Sequence, residues 1–282
     1  MVAWKRCLLL LRRTFLAAFG HRCFGIAKAA AYSALLSFFP VLASAAAILV
    51  EVKADFVARY VARFLFDVVP PGTEELVRIQ FTAKGERPAG LLIAAVLLSI
   101  WAASGVIGSL IDGFEAAYGI TQRRRFPRNM MVSMTLVLLS AVPLLAASLL
   151  IVFGGFIDRF IMRWLAGDSI LTPLAGWWQT ASSIARFLTA FCTLAWVNAT
   201  IYYYGPNRRQ QWGLVWPGAV VATAAGLLAT VAFGWYVRNI ADYNVAYGSM
   251  GAGIALLVWM YLLALITLLG CEFNAQYERP RE

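Results

Sequence analysis

Six long apolar runs constrain the fold of this chain more than any other feature. They lie at residues 29–50, 89–111, 130–156, 184–204, 212–237 and 247–271. Each run is close to, or exceeds, the roughly 20 apolar residues that a helix needs to cross a hydrocarbon core. Only 13% of the residues are charged and 61% are hydrophobic, which lies far outside the soluble average. The sequence therefore predicts an all-α, polytopic membrane protein with six transmembrane helices, in a membrane domain spanning 29–275.

The first apolar run is interpreted as a retained span. It shows no small-residue cleavage site, it contains Pro40, and a long basic tail precedes it. A removable signal peptide is the weaker alternative, because such peptides pair a short apolar stretch with a cleavage site.

Segments outside the spans also show helical patterns. Residues 1–28 predict a basic amphipathic helix on the inner membrane interface, because large apolar residues recur at helical spacing opposite arginines. These apolar residues are Trp4, Leu8, Leu11, Phe15 and Phe19. Residues 51–88 predict an outer helical insertion with a similar stripe between 56 and 68, and residues 276–282 predict a carboxyl-terminal tail.

The distribution of basic residues predicts the orientation in the membrane. Six basic residues and no acidic residue precede Glu51, later arginine clusters fall in alternate loops, and the other loops balance their basic residues with acidic ones. The positive-inside rule therefore places both termini in the cytoplasm. The net charge of +10 is then mostly cytoplasmic, which favours anionic lipid headgroups as partners. Nucleic acid is not expected to bind, because the chain lacks a folded basic domain.

The residue types that bind metals or catalyse hydrolysis are scarce. The four cysteines form no CxxC pair, and His21, the single histidine, lies in the amphipathic tail, where a solvated or interfacial side chain is expected. We therefore predict no cofactor, no metal site, no catalytic residue and no enzymatic activity.

Acidic residues near two helix ends raise the question of a polar site. A straight helix from Ala89 brings Asp112 about 35 Å along its axis, at the cytoplasmic edge of the core. Glu115 lies one turn further, and Glu272 reaches the same side. Two interpretations stay open: interfacial ion pairs that fix helix ends, or a polar cytoplasmic mouth. The mouth would comprise Asp112, Glu115, Arg123, Arg124, Arg125, Arg208, Arg209 and Glu272.

The spans carry no ionisable residue near their middle, which disfavours a proton-coupled relay. Instead they contain mildly polar and small residues, which can bridge helices or line a groove. The candidate groove or hinge residues are Ser33, Ser37, Pro40, Asn198, Asn244, Tyr247 and Gly248.

A ridge of small residues recurs at every fourth position of the fifth span. It comprises Gly218, Ala222, Gly226, Thr230 and Gly234. Such a ridge lets a second helix approach closely. Packing within the chain is the favoured interpretation, and dimerisation into a homo-oligomer is the alternative.

Several sequence blocks resemble a known family. The blocks are AAYSALLSFFPVL at 30–42, AAYGI at 116–120, YYYGPNRR at 202–209, PGAV at 217–220 and YGSMGAGIALLVWMYLLALITLLGCEFNA at 247–275. Together with the six spans they resemble the YihY/virulence factor BrkB family of bacterial inner-membrane proteins. The resemblance implies a polytopic helical fold; some relatives carry the label ribonuclease BN, and others are connected with serum resistance or lipopolysaccharide precursor export. Relatives typically carry Asn where this chain has Glu115, so no family role transfers to that carboxylate.

Three functions are therefore considered. The leading one is a transporter or flippase-like protein for a lipid-like or amphipathic envelope substrate. The alternative is a structural scaffold of the cell envelope. A ribonuclease is disfavoured, because the sequence offers one histidine and no carboxylates at metal-binding spacing.

Overall fold

The structure is a computed structural model that describes residues 2–51, 89–122, 124–166, 173–239 and 251–279. The described residues form seven helices and no strand, which confirms the all-α prediction. The helices are α1 (Val2–Gly20), α2 (Cys23–Glu51), α3 (Ala89–Ala117), α4 (Phe126–Ala166), α5 (Pro173–Tyr204), α6 (Trp212–Asn239) and α7 (Gly251–Glu278). Helices α2 to α7 are each long and apolar enough to cross a membrane.

The helices extend beyond most of the predicted spans. Helix α2 begins at Cys23 rather than at residue 29, and α7 continues to Glu278 rather than ending at 271. Apolar runs mark only the part of a helix that lies in hydrocarbon, whereas backbone hydrogen bonding continues through the polar residues that follow. Residues 52–88 of the predicted outer insertion, with their amphipathic stripe, lie outside the described residues.

The six long helices form a closed ring of neighbours. Each packs on the next one along the chain, and α7 completes the ring by packing on α2. Helices that follow one another in sequence are usually adjacent in space, and this ring is a simple case of that rule. Helix α7 also contacts α1 and α3, so it makes more helix–helix interfaces than its neighbours do.

Helix α1 lies against the bundle along a narrow stripe of its described side chains. Thr14 and Ala18 in this stripe are buried, whereas Leu11, Phe15 and Phe19 beside it are exposed. A tight corner at Arg22, whose φ is 57°, separates α1 from α2. The exposed aromatic face is suited to a membrane interface, where amphipathic helices bury such residues.

Many of the buried side chains among the described residues lie at one end of the bundle, which we call the basic end. It contains the corner between α1 and α2, the turn that begins at Tyr118 and the turn at 205–211. Phe114, Tyr202 and Leu268 are among the fully buried side chains there. The Tyr202 hydroxyl donates to the Thr267 carbonyl at 2.7 Å, and its ring meets Phe114 edge-on at 5.3 Å between centroids. These contacts join α3, α5 and α7.

The ridge of α6 packs closely on α7 over only part of its length. A Cβ added at Gly218 would overlap the Gly270 carbonyl oxygen, and one added at Gly270 would lie 2.6 Å from Ala222 Cβ. Further along, Thr230 accepts a hydrogen bond from Trp259 Nε1 at 3.2 Å. At Gly226 an added Cβ would lie 3.8 Å from Leu263, and at Gly234 it would meet no atom of the described residues within 4 Å. Within the described residues, the close approach of α6 to α7 is therefore found in the half nearer the basic end.

Candidate functional site

Arg124 closes the carboxyl-terminal end of α5. Its guanidinium donates to the carbonyl oxygens of Tyr204 at 3.2 Å, Gly205 at 2.5 Å and Pro206 at 3.2 Å. The last carbonyls of a helix have no partner within the helix, and a cation satisfies them well. Burial lowers the pKa of Arg124, and the nearby Glu115 carboxylate opposes that shift. Arg124 is therefore engaged with backbone rather than open to a ligand.

Arg208 links the turn after α5 to the ends of α3 and α7. It forms an ion pair with Glu278, and its guanidinium carbon lies 4.1 Å from the centroid of the Tyr118 ring. This distance is within the range of a cation–π interaction. Burial is the main cause that raises the pKa of Tyr118 well above its ordinary value. Tyr118 thus remains a neutral phenol beside the ion pair.

Glu272 lies inside the protein. Its side chain is 0% exposed and accepts hydrogen bonds from His21 Nδ1 at 2.9 Å and from Gln276 Nε2 at 3.0 Å. Helix α7 continues past Glu272, which is buried within the protein. His21, at the corner after α1, lies against this carboxylate. The two residues are 251 positions apart, so no local pattern could have paired them.

The proposed polar mouth is divided by the structure. Glu115, near the end of α3, is only 2% exposed. Asp112, Arg125 and Arg209 are exposed at the basic end. Arg123 lies outside the described residues. The structure thus separates a buried structural cluster from a few exposed charges.

A groove on the side of the bundle, which we call the lateral groove, lies between α2, α3 and α4. Its volume is about 310 Å³. It is lined by Ser33, Leu36, Trp101, Ala102, Ser104, Gly105, Gly108, Phe126, Asn129, Met130 and Ser133. None of these side chains is ionisable. Leu36, Trp101 and Phe126 are exposed, and Phe126 is 82% exposed, so the groove opens on the outer surface of the bundle.

Glycines on α3 make room for the lateral groove. A Cβ added at Gly105 would lie 3.5 Å from Ser33 Oγ, and one added at Gly108 would lie 3.7 Å from Ser133 Oγ. Both distances are ordinary van der Waals contacts, so a methyl group at either position would just touch the facing hydroxyl. Small residues at these positions therefore let α3 lie close to the hydroxyls of α2 and α4 that line the groove.

The polar side chains of the groove differ in their hydrogen bonding. Ser104 donates to the Trp101 carbonyl of its own helix at 2.6 Å. Ser133 is 1% exposed, and among the described residues neither its Oγ nor Asn129 Oδ1 has a hydrogen-bond partner. Buried polar groups are nearly always paired, so two unpaired ones in a single groove are a notable feature. Neither Asn129 nor Ser133 is among the residues that the sequence pattern predicted for a site.

The candidate groove or hinge residues do not assemble into one site. Ser33 lines the lateral groove, whereas Ser37 is buried and donates to the Ala34 carbonyl at 2.9 Å. Pro40 lies within α2 without ending it, and Asn198 donates to Thr223 at 3.1 Å. The remaining members, Asn244, Tyr247 and Gly248, lie outside the described residues.

The sequence profile of the family described as "Virulence factor BrkB" matches residues 15–282. The chain belongs to this family. It is similar to a Bacillus subtilis protein named as ribonuclease-like, YfkH, with 29% identity over 70% of this chain and 69% of that protein. It is also similar to the UPF0761 membrane protein of Tolumonas auensis, with 24% identity over 87% of this chain and 77% of the relative.

A third relative of this family is longer than the matching region. The UPF0761 membrane protein Bxeno_A3061 of Paraburkholderia xenovorans is 27% identical over 71% of this chain, and the match spans only 45% of that protein. No solved structure matches the chain. These names describe membrane proteins, and the six long helices are consistent with a multi-pass member of the family.

Two of the blocks that resemble the family contact each other at the basic end. Asn274 Oδ1 accepts from the Gly218 amide at 2.6 Å, and Asn274 Nδ2 donates to the Val215 carbonyl at 2.9 Å. Pro217 cannot donate a backbone hydrogen bond, so it weakens the α6 ladder at this point. The Asn274 amide bonds to the backbone on both sides of the proline and fixes α6 to α7.

Proposed function

We propose that this family member is a transporter or flippase-like protein for a lipid-like or amphipathic envelope substrate. It would reside in the bacterial inner membrane with both termini in the cytoplasm. The lateral groove is the single observation that carries the proposal, because it combines a lipid-facing apolar rim with polar side chains inside. An amphipathic molecule needs both environments at once.

The length of the groove supports movement across part of the bilayer. Phe126 begins α4 at the basic end, whereas Trp101 lies 16 residues before the last residue of α3. At 1.5 Å per residue, Trp101 is about 24 Å along the helix axis from that end. The groove thus extends from the basic end well into the depth of a core about 30 Å thick.

The chemistry of the lining favours facilitated movement without ion coupling. No lining residue is ionisable, and ion-coupled carriers usually place an ionisable relay on their path. Hydroxyl and amide groups would replace part of the hydration of a headgroup, while the acyl chains would remain among the exposed side chains of the rim.

We further propose that the protein is not an enzyme. The name ribonuclease-like belongs to the Bacillus subtilis relative. In the described ranges of this chain, no group of three His, Cys, Asp or Glu residues could hold a metal ion. The carboxylates Glu115 and Glu272 are buried in the bundle, where RNA has no access.

A reconstitution assay tests the proposed function. Purified protein is placed in liposomes that contain a fluorescent phospholipid, and a membrane-impermeant reductant then bleaches the outer leaflet. If the protein moves lipid between the leaflets, the reductant would bleach nearly all of the fluorescence. Protein-free liposomes would retain about half of it. Retention of half of the fluorescence by proteoliposomes, for every anionic and zwitterionic phospholipid used, would favour the scaffold alternative.

A further inference from the structure

We infer that the lateral groove binds an anionic glycerophospholipid whose headgroup carries free hydroxyl groups. The headgroup would lie against the first turns of α4, and the acyl chains would lie along the exposed rim. This inference names a substrate class for the proposed function and rests on it. Three features of the groove support it: two unpaired polar side chains, the local charge and the lipid-facing rim.

The unpaired polar side chains indicate a ligand that donates and accepts hydrogen bonds. Asn129 and Ser133 are four residues apart, so they lie on one face of α4 about 6 Å from each other along its axis. Within the described part of the chain, Asn129 Oδ1 and Ser133 Oγ have no partner. By contrast, the buried Ser99 hydroxyl, on α3 and outside the groove, donates to the Ala95 carbonyl at 2.7 Å. A hydroxyl-bearing headgroup would supply the missing donor to Asn129 and a partner to Ser133.

The local charge indicates that the ligand is an anion. The first turn of α4 contains no acidic residue, and the exposed Arg125 and Arg128 lie at its start. The free backbone amides at a helix N-terminus add partial positive charge in the same place. The groove itself contributes no charge that would oppose an anion. A phosphate at the mouth of the groove would therefore be favoured, with the hydroxyls of the headgroup reaching inward to Asn129 and Ser133.

The rim indicates that the ligand is a lipid rather than a free phosphate compound. Leu36 and Trp101 are both more than half exposed and stand beside the hydroxyls of the groove. In a bilayer these side chains contact acyl chains, so a headgroup in the groove keeps its own chains in hydrocarbon. A water-soluble polyol phosphate would gain no such contact.

A binding assay on the full-length protein in detergent tests the inference without requiring transport. Native mass spectrometry would measure the binding of three short-chain lipids: phosphatidylglycerol, phosphatidic acid and phosphatidylcholine. Phosphatidic acid has an anionic phosphate but no alcohol hydroxyl in its headgroup. Phosphatidylcholine has neither a net charge nor an alcohol hydroxyl. We expect phosphatidylglycerol to bind about tenfold more tightly than either, since one good hydrogen bond supplies a preference of that order. Glycerol 3-phosphate, the headgroup without chains, is expected not to compete.

Two serine variants supply the matched comparison. Ser133→Ala is expected to remove most of the preference for phosphatidylglycerol over phosphatidic acid. Ser140→Ala is the control, because Ser140 is also a buried and unpaired hydroxyl on α4 but does not line the groove. It is expected to bind like the wild-type protein. Equal melting temperatures of the two variants would show that the fold is unchanged.

The inference is overturned if the wild-type protein binds phosphatidylglycerol and phosphatidic acid equally, if Ser133→Ala keeps the wild-type preference, or if glycerol 3-phosphate competes. Its failure is distinct from failure of the proposed function. Selective binding without lipid movement in liposomes would refute transport and leave the binding site standing. Lipid movement without headgroup selectivity would support transport and refute the binding inference.

Discussion

His21 Nδ1 lies 2.9 Å from the Glu272 carboxylate and joins the corner after α1 to the interior of the bundle. Glu272 is fully buried, while the His21 side chain is about one third exposed. A buried carboxylate is tolerated only with hydrogen-bond partners, so this pair fixes the position of α1 against α7. The contact gives the amphipathic helix a defined place on the bundle.

Loss of the imidazole is expected to destabilise the fold. His21→Ala leaves the buried carboxylate with the Gln276 amide, at a cost of about 2 to 4 kcal/mol. The double variant His21→Ala/Glu272→Gln should recover part of this loss, because a neutral amide costs less free energy to bury than a carboxylate does. Thermal unfolding in detergent measures both effects. A wild-type melting temperature for His21→Ala would show that the pair does not stabilise the fold.

Gly218 is expected to be the most sensitive position of the α6 ridge. Gly218→Ala forces the added methyl group into the Gly270 carbonyl and should destabilise the protein by about 1 to 3 kcal/mol. Gly234→Ala is the control on the same helix: it meets no atom within 4 Å and should be neutral or slightly stabilising. Chemical unfolding of the two variants tests this order, and equal stability would contradict the close approach of α6 and α7.

Asn274 is expected to stabilise the fold through both hydrogen bonds of its side-chain amide. Asn274→Leu keeps the branched shape of the side chain but leaves the Gly218 amide without its side-chain acceptor, which costs about 1 to 3 kcal/mol. Asn239→Ala removes an exposed amide that donates only to the Trp235 carbonyl of its own helix. That control should unfold like the wild-type protein. Similar melting temperatures for Asn274→Leu and Asn239→Ala would rule out a role for Asn274 in joining the two helices.

Substitution of Asp112 is expected to have little effect on stability, because its side chain is exposed at the basic end. Asp112→Asn should change the free energy of unfolding by no more than about 1 kcal/mol. It should also leave lipid movement in proteoliposomes unchanged, since Asp112 does not line the lateral groove. A well-folded but inactive Asp112→Asn protein would instead support the polar mouth.

The orientation in the membrane is expected to follow the distribution of arginines. In a background without native cysteines, single cysteines at Thr121 and Asn207 should react only from the cytoplasmic side. A cysteine at Thr73 or Ser169, both outside the described residues, should react from the outer side. Labelling of Thr73 from the cytoplasm would reverse the assignment.

The number of spanning helices could be predicted from sequence because each span repeats one simple physical requirement. A run of about 20 apolar residues is a local property, and the starts at Ala89 and Trp212 and the end at Tyr204 coincide with the helices. The small ridge was also visible, since close approach of helices requires small side chains at regular spacing. Only the neighbouring helix decides which of those positions is used, so Gly234 could not be separated from Gly218.

The His21–Glu272 pair and the lateral groove could not be predicted from the sequence, because both depend on contacts between different helices. His21 and Glu272 are 251 residues apart, and each alone resembles an ordinary polar residue near a membrane surface. Asn129 and Ser133 stand at the start of a long apolar run, where polar residues are expected at any helix end. Whether their side chains find a hydrogen-bond partner depends on how α2, α3 and α4 pack together. The spacing of residues in the sequence does not predict this packing.

The central claim is that amphipathic molecules move through the lateral groove, and a groove-filling variant tests it most directly. Gly105→Phe adds a ring at a residue that lines the groove, whereas Gly90→Phe adds the same ring at an exposed position of α3, where an added Cβ meets no atom of the described residues within 4 Å. In the liposome assay, with melting temperatures matched, we predict that Gly105→Phe slows lipid movement by about tenfold or more. Gly90→Phe should retain the wild-type rate, and equal rates for the wild-type protein and Gly105→Phe would contradict the claim.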